Sequence, residues 1–367
     1  MRTRFKRPAI AAVVAGLALV LAACGSSSSS GSSSSSSSGS SNSAAASGTV
    51  NVNVGTGTVK LPTGKLRIGI FMNAQSNSWQ VNLAKTAQQT AESFGWSAAV
   101  INSNFDLQGQ QNALQLAITN HTYDAIAVVP VDGATSCSVL SQTAPQHNIV
   151  VVIGGTTICN RDLQTGNGMW APGTLAYTTV APSYDYASLF LKKATELFPG
   201  PQNVALVVGP PENGNTILMH DLAKQLAKTD PQFDITNFIT TDYTTPVTYA
   251  AVQTYLQAHK NTTVLLSVYS PDMSRGVVQA LQSLNLVGKV KVADMGGSAY
   301  SVNEIKAGAI QLTMPYYPIT IGKNMILAIK NAQEGMTPVR VVDEIPGGLA
   351  NAPVITKTNA NSFTPQY

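Results

Sequence analysis

LRIGIF (66–71), AIAVVP (125–130) and IVVVIG (149–154) are apolar at nearly every position, odd and even alike. A strand with one face in water alternates, so a strand apolar on both faces must be covered on both. The segments between these runs have helical spacing. In WQVNLAKTAQQTAESFG, residues Leu83, Ala87, Ala91 and Phe94 fall on one face, and Gly95 stops the helix. SAAVI (97–101) adds a strand, and GQQNALQLAITN (109–120) and GATSCSVLSQTAPQ (133–146) add helices. Strand and helix in strict alternation predict a parallel α/β sheet with helices on both faces.

The pattern then restarts. NVALVVG (203–209), FDITNFIT (233–240) and TVLLSVY (263–269) read as strands. TILMHDLAKQLAK (216–228), VTYAAVQTYLQAHK (247–260) and the stretch around Met273–Leu284 read as helices. VKVADMGG, AIQLTM and VRVVDE add short strands further on. Some 300 residues exceed one typical core, so two α/β lobes are expected, with a cleft at the strand carboxyl ends.

The first 64 residues have a different composition. Arg2, Arg4, Lys6 and Arg7 precede an apolar run of 14 residues, Ile10 to Ala23. A bilayer span needs about 20 residues, whereas this length suits the core of a secretory signal. The Leu-Ala-Ala-Cys ending at Cys24 resembles the lipobox of bacterial lipoproteins. That resemblance implies a cleaved signal over 1–23 and a lipid anchor on Cys24; an ordinary signal followed by an incidental cysteine is the alternative. Two or more acyl chains would anchor stably, at roughly 0.8 kcal/mol per buried CH₂. The Ser/Gly-rich tract, taken as a linker over 24–64, has little to bury and an r.m.s. reach of about 35 Å. TVNVNVGTGTVK (49–60) alternates, but Gly and Thr dominate it, and composition assigns it to the linker.

The 22 Lys and Arg include four in the basic head, which leaves 18 against 18 Asp and Glu. A near-neutral chain without a basic stripe is not expected to bind nucleic acid. In an oxidising compartment Cys137 and Cys159, each shortly after a strand end, are expected to form a disulfide worth roughly 3 kcal/mol. The four histidines are scattered without ligand spacing, so no metal and no cofactor are expected. No Gly-x-Ser-x-Gly elbow and no phosphate-binding Gly-Lys-Ser occur, so no catalytic residues are assigned and enzymatic activity is not expected.

KLRIGIFMNAQSNSWQVNLAKTAQQTAESFGW, VINSNFDLQGQQNALQLAI and YDAIAVVPVDGATSCSVLSQTAPQHNIVVV, in that order, resemble the first lobe of ribose-type periplasmic binding proteins, the sugar-binding components of ABC importers. VKVADMGGSAYSVNEIKAGAIQLTMPYYPITIGKNMILAI resembles the closing segment of that family. The likeness spans about residues 66–345. It implies a type I periplasmic binding fold: two doubly wound parallel-sheet lobes joined by three crossings, near Val180, Tyr316 and Thr337. The lobes are then 65–180 with 317–336, and 181–316 with 337–360. The implied partners are a sugar-like ligand and a membrane permease, with the chain acting as a monomer at the outer face of the membrane.

The resemblance also places a ligand site. Asn73 ends the first strand, and Asn77 and Trp79 open the first helix. An indole face suits a sugar's C–H surface while amides bond its hydroxyls. The plainer reading makes Trp79 a core residue and Asn77 a helix N-cap. Asp132 matches a Pro-x-Asp step and is expected to cap the next helix. Elsewhere the family's charged partners are replaced. Gly155 and Thr156 stand for an Asp-Arg pair, Met219 for a helix Arg, Ser270 beside Tyr269 for an Asn, Met295-Gly296 for a Phe-Asp pair and Tyr316 for a Gln. Asn213 and Asn215 meet the cleft from a second-lobe loop, and Trp170, in the insertion after Gly155, is either a further wall or part of a surface loop. These replacements leave a non-sugar ligand, aromatic or nucleoside-like, and a sensory role as alternatives to sugar capture for transport.

Overall fold

The uniformly apolar runs become interior strands of two parallel sheets in the computed structural model, which describes residues 48–179, 183–345 and 347–367. The expected signal, Cys24, the tract up to residue 47 and the crossing at Val180 lie outside the described residues. The described residues form one compact unit.

In chain order the elements are β1 (Thr49–Asn53), β2 (Thr58–Pro62), β3 (Arg67–Met72), α1 (Ser78–Ser93), β4 (Ser97–Asn102) and α2 (Leu107–Thr119). Next come β5 (Ala125–Val128), α3 (Ala144–Gln146) preceded by a wide helical turn at Val139–Thr143, β6 (Val150–Ile153) and β7 (Ala176–Tyr177). The second series is α4 (Tyr184–Leu197), β8 (Gln202–Val208), α5 (Gly214–Thr229), β9 (Phe233–Thr240), α6 (Thr245–Ala258) and β10 (Val264–Ser267). It closes with α7 (Pro271–Ser283), β11 (Lys291–Gly296), α8 (Ala299–Ala307), β12 (Leu312–Pro315) and α9 (Pro318–Gln333).

The first sheet runs β4-β3-β5-β6-β7 and the second β9-β8-β10-β11-β12, with every pairing parallel. Each therefore repeats the doubly wound order 2-1-3-4-5. In that topology the connections before and after the first strand diverge, leaving a crevice at the strand carboxyl ends. Helices start at side-chain caps: Asn77, Asp106, Ser183, Asn213, Ser270 and Ser298 each accept a bond from a backbone N–H of the following turn. This is the two-lobed α/β architecture expected from the strand runs.

The chain changes sheets three times. It leaves the first sheet after β7, returns through Tyr316-Tyr317 to α9, and crosses again after residue 342. The third passage is not at Thr337. Tyr177 still bonds the backbone of Arg340 and Val342, and only at Ile355 does the chain pair with Thr313 of the second sheet. The VRVVDE strand is reduced to a single bridge, Tyr177 to Val341.

Residues 49–62, assigned to the linker from composition, instead form the antiparallel β1–β2 hairpin. Its alternation is genuine: Val52, Val54, Val59 and Leu61 are buried in one core with Ile68, Ile70, Leu83 and Ile326. Thr49, Asn51, Asn53, Thr58 and Lys60 face outward, and Gly55, Thr56 and Gly57 make the turn. Cys137 and Cys159 form the expected disulfide.

Candidate functional site

A cavity lies where residues following strands of both sheets converge. It contains about 410 Å³ of unfilled space. A larger hollow of about 690 Å³ lies by Asn51–Asn53 and Arg340, but none of its lining residues holds a buried polar side-chain atom without a partner. The smaller cavity does. Trp79 Nε1 and the hydroxyls of Tyr269 and Tyr316 are buried at its wall with no hydrogen-bond partner. Such groups cost about 1–3 kcal/mol each when left unmatched, so three around one cavity mark where a ligand or water must sit.

The first sheet supplies an amide cluster. Asn73, directly after β3, accepts from the Ala74 N–H at 2.8 Å and from Gln80 Nε2 at 3.1 Å. Asn77 caps α1, accepting from the Gln80 N–H at 3.0 Å. Gln80 Oε1 in turn accepts from the Ser76 N–H at 2.9 Å. Trp79 stands one residue into α1, half-buried against Gly155, which follows β6 in the left-handed region (φ +77°). A Cβ on Gly155 would come within 2.7 Å of Val129 and 3.3 Å of the indole, so only glycine admits the ring there.

The second sheet supplies phenols and amides. Asn213 caps α5, accepting from the Asn215 N–H at 3.1 Å and from the Tyr243 hydroxyl at 3.3 Å. Tyr243 and Tyr269 both hold positive φ, 66° and 73°. Bulky residues rarely tolerate that conformation, and where it persists the surroundings impose it. Tyr269 stacks on Tyr316 with ring centroids 5.8 Å apart and planes 16° apart. Burial pushes the phenols of Tyr243, Tyr269 and Tyr316 above the ordinary tyrosine range, so all three stay protonated near neutrality. Thr179, in the first crossing, donates to the buried Glu344 carboxylate at 2.8 Å, and Ile321 of α9 closes the wall.

Of the residues proposed from sequence, the structure places Asn73, Asn77, Trp79, Gly155, Asn213, Tyr269 and Tyr316 at the cavity. It places three elsewhere. Ser270 caps α7, accepting from the Met273 N–H and donating to the Tyr243 carbonyl. Met295 lies within β11, paired with Met314 and fully buried. Trp170 packs by the hairpin: its Nε1 donates to the Thr174 carbonyl and the Arg340 guanidinium sits 4.3 Å over its ring. Arg340 also donates to Asn53, so this side of the insertion is a structural clasp. Met219 is fully buried in α5, and Asp132 accepts from the Ala134 N–H as a local cap. Sequence reasoning missed Gln80, Thr179, Tyr243 and Ile321. The amide of Gln80, three residues after an N-cap, is the one that carried a readable signal, since Gln at that position can reach back to the turn.

Two contacts join elements of the two sheets' lobes next to residues that line the cavity. Ser78, first residue of α1, donates its N–H and its hydroxyl to Asp272 Oδ2 of α7, both at 2.7 Å. Phe105, after β4, packs on Tyr243 with centroids 5.8 Å apart.

The family model for the periplasmic binding protein domain matches residues 68–337. An ABC transporter solute-binding protein from Mycobacterium smegmatis, with bound glycerol, superposes with a TM-score of 0.70 at 22% identity, covering 83% of this chain and 98% of its own. One from Bacillus halodurans with bound myo-inositol gives 0.69 at 16% identity, covering 82% and 97%. One from Actinobacillus succinogenes with bound D-allose gives 0.67 at 19% identity, covering 82% and 100%. No curated protein sequence matches significantly.

Proposed function

The chain belongs to the periplasmic binding protein family, and from that premise we propose that it is the extracytoplasmic solute-binding component of an ABC transporter, taking one small sugar-like molecule into the cavity between its lobes. The observation that carries this reading is the ring of unpartnered Trp79, Tyr269 and Tyr316 polar groups in a cavity lined from both sheets. The glycerol, myo-inositol and D-allose held by the similar structures support a neutral, oxygen-rich ligand. Trp79 supplies a flat face for C–H surface and the asparagine amides supply directional bonds.

Capture proceeds by hinge closure. A ligand touching both lobes stabilises the closed arrangement only by the contacts that the open one lacks. The Ser78–Asp272 bonds belong to the closed arrangement and bias the resting equilibrium toward it. The closed protein then docks on a membrane permease. Cys24 carries the lipid that holds it at the membrane, and the Ser/Gly tract lets the domain turn between solute and permease.

The test is a thermal-shift screen of the domain against pentoses, hexoses, polyols, nucleosides and small aromatic acids. A ligand at 100 times its Kd stabilises by about 2.7 kcal/mol. Shifts confined to aromatic acids or nucleosides would replace sugar capture by the non-sugar alternative. For closure, Asp272→Ala is expected to raise the ligand-free radius of gyration and to weaken binding about tenfold, or 1–2 kcal/mol, because the lost charge-assisted bonds are partly exposed. Asp272→Asn, which keeps an acceptor, should fall in between. An unchanged scattering profile for Asp272→Ala, with or without ligand, would remove the latch from the mechanism.

A further inference from the structure

The cavity presents hydrogen-bond donors in excess of acceptors and no charge, and we propose that its ligand is an uncharged, acceptor-rich compound. The class is a polyoxygenated ring bearing carbonyl or lactone oxygens, preferred over its fully hydroxylated parent and over any carboxylate. This rests on the reading of the cavity as the solute site.

The orientation of the asparagine amides decides the polarity. Backbone N–H groups can only donate, so the Oδ1 atoms that accept from Ala74, Gln80 and Asn215 are fixed as oxygens. Asn73 and Asn213 each accept twice, so only their NH₂ ends are left to offer; Asn77 accepts once and keeps one lone pair beside its NH₂ end, and none of the three NH₂ ends donates among the described residues. The Gln80 oxygen is used up, accepting from the N–H and the hydroxyl of Ser76, while its nitrogen donates to Asn73 and keeps one N–H. Trp79 Nε1 is a pure donor and has no partner. The Tyr269 and Tyr316 hydroxyls serve either way, and both rings are more than nine-tenths buried.

Acceptors are scarcer. The Thr179 hydroxyl gives its proton to Glu344 and keeps its lone pairs, and the Asn215 side chain makes no bond among the described residues. Each hydroxyl of a polyol brings a proton that needs an acceptor, and a proton left unmatched in a buried site costs about 1–3 kcal/mol. Replacing a hydroxyl by a carbonyl removes the proton and keeps the acceptor.

Charge is excluded on separate grounds. None of the lining side chains is a carboxylate, a guanidinium or an ammonium. The carboxylates nearby are turned to protein donors: Glu344 to Thr179, Asp272 to Ser78 and Asp162 to Thr157. An anion would be buried without a cation and beside these groups, and a cation would face NH₂ donors.

Calorimetry on the wild-type domain with two matched pairs and one anion tests this: scyllo-inositol against scyllo-inosose, D-ribose against D-ribono-1,4-lactone, and D-ribonate. The carbonyl member of at least one pair is expected to bind roughly tenfold tighter than its parent, with no heat from ribonate. The Asn77→Asp variant keeps the cap oxygen and turns the remaining donor into an acceptor, so, in the fraction that stays folded, it should lose this preference or reverse it. A parent polyol that binds as tightly as its carbonyl partner, or an Asn77→Asp variant with unaltered preference, overturns the donor inference and leaves sugar capture standing. Binding of ribonate alone, or of no member at millimolar concentration, overturns both.

Discussion

Trp79→Ala is expected to weaken binding of the sugar-like ligand at least about 100-fold, close to 3 kcal/mol, measured by calorimetry with any compound that shifts the wild-type melt. Two losses add. The indole is the one large flat surface that the first sheet turns to the cavity, and its Nε1 is a buried donor waiting for an acceptor. Trp79→Phe separates them. It keeps a ring against Gly155 and drops only the N–H, so roughly a tenfold loss is expected. The alternative, in which Trp79 merely fills the first-lobe core, makes a different prediction: Trp79→Ala would lower the melting temperature and leave affinity within threefold once the protein is folded. Trp79 packs on the core as well as on the cavity, so some stability loss is expected in either case. The affinity is what distinguishes them.

The sheets were legible in the sequence because their signal is local. Runs such as Val150–Ile153 and Val264–Ser267 are buried at every position, and nothing but an interior parallel strand accounts for that. The β1–β2 hairpin was not legible, although Val52, Val54, Val59 and Leu61 do alternate. Half of its residues are the Gly, Thr and Asn of a linker, and the core that buries the other half includes Ile321, Met325 and Ile326 of α9, far along the chain. The third crossing was misplaced for a related reason. Arg340 and Val342 look like the start of a new strand, but their backbone bonds go to Tyr177 of the first sheet, a pairing no local pattern announces.

Within the site, positions immediately after strand ends were readable, since that is where an open α/β sheet must put its ligand contacts. Asn73, Gly155, Tyr269 and Tyr316 all sit there. Ser270 failed by one residue. Tyr269 takes the left-handed turn into the cavity, and the next side chain rotates back to cap α7. Met295 failed because β11 runs on to Gly296, which keeps it inside the sheet. Tyr243 lies in TTDYTT, a stretch with no hydrophobic pattern. Its place comes from a positive φ and a bond to Asn213, both of which exist only once the second lobe has assembled.

Gly322→Leu is expected to destabilise the protein by at least about 3 kcal/mol and to cost ligand affinity at the same time. In α9 this glycine meets the backbone of α1, and a Cβ built on it would lie 2.4 Å from the Leu83 carbonyl oxygen and 3.1 Å from the Ala87 nitrogen. Backbone atoms cannot rotate away, so the helices must separate. The consequence reaches the cavity by two short routes. Ile321, the preceding residue, forms its wall, and α1 begins with the Asn77–Gln80 turn. Moving α9 off α1 therefore shifts both sides of the site, just beyond the Tyr316-Tyr317 crossing. Gly322→Ala gives the sharper test of sign. On an open helix face the change would stabilise by about 1 kcal/mol through helix propensity. Against a backbone oxygen at 2.4 Å it is expected to destabilise instead. Denaturant melts of the two variants decide it. Destabilisation by alanine, and more by leucine, together with weaker ligand binding, makes the α1–α9 contact part of the binding apparatus. A stabilised Gly322→Ala would mean that the two helices have room to spare and that ligand binding does not depend on their approach.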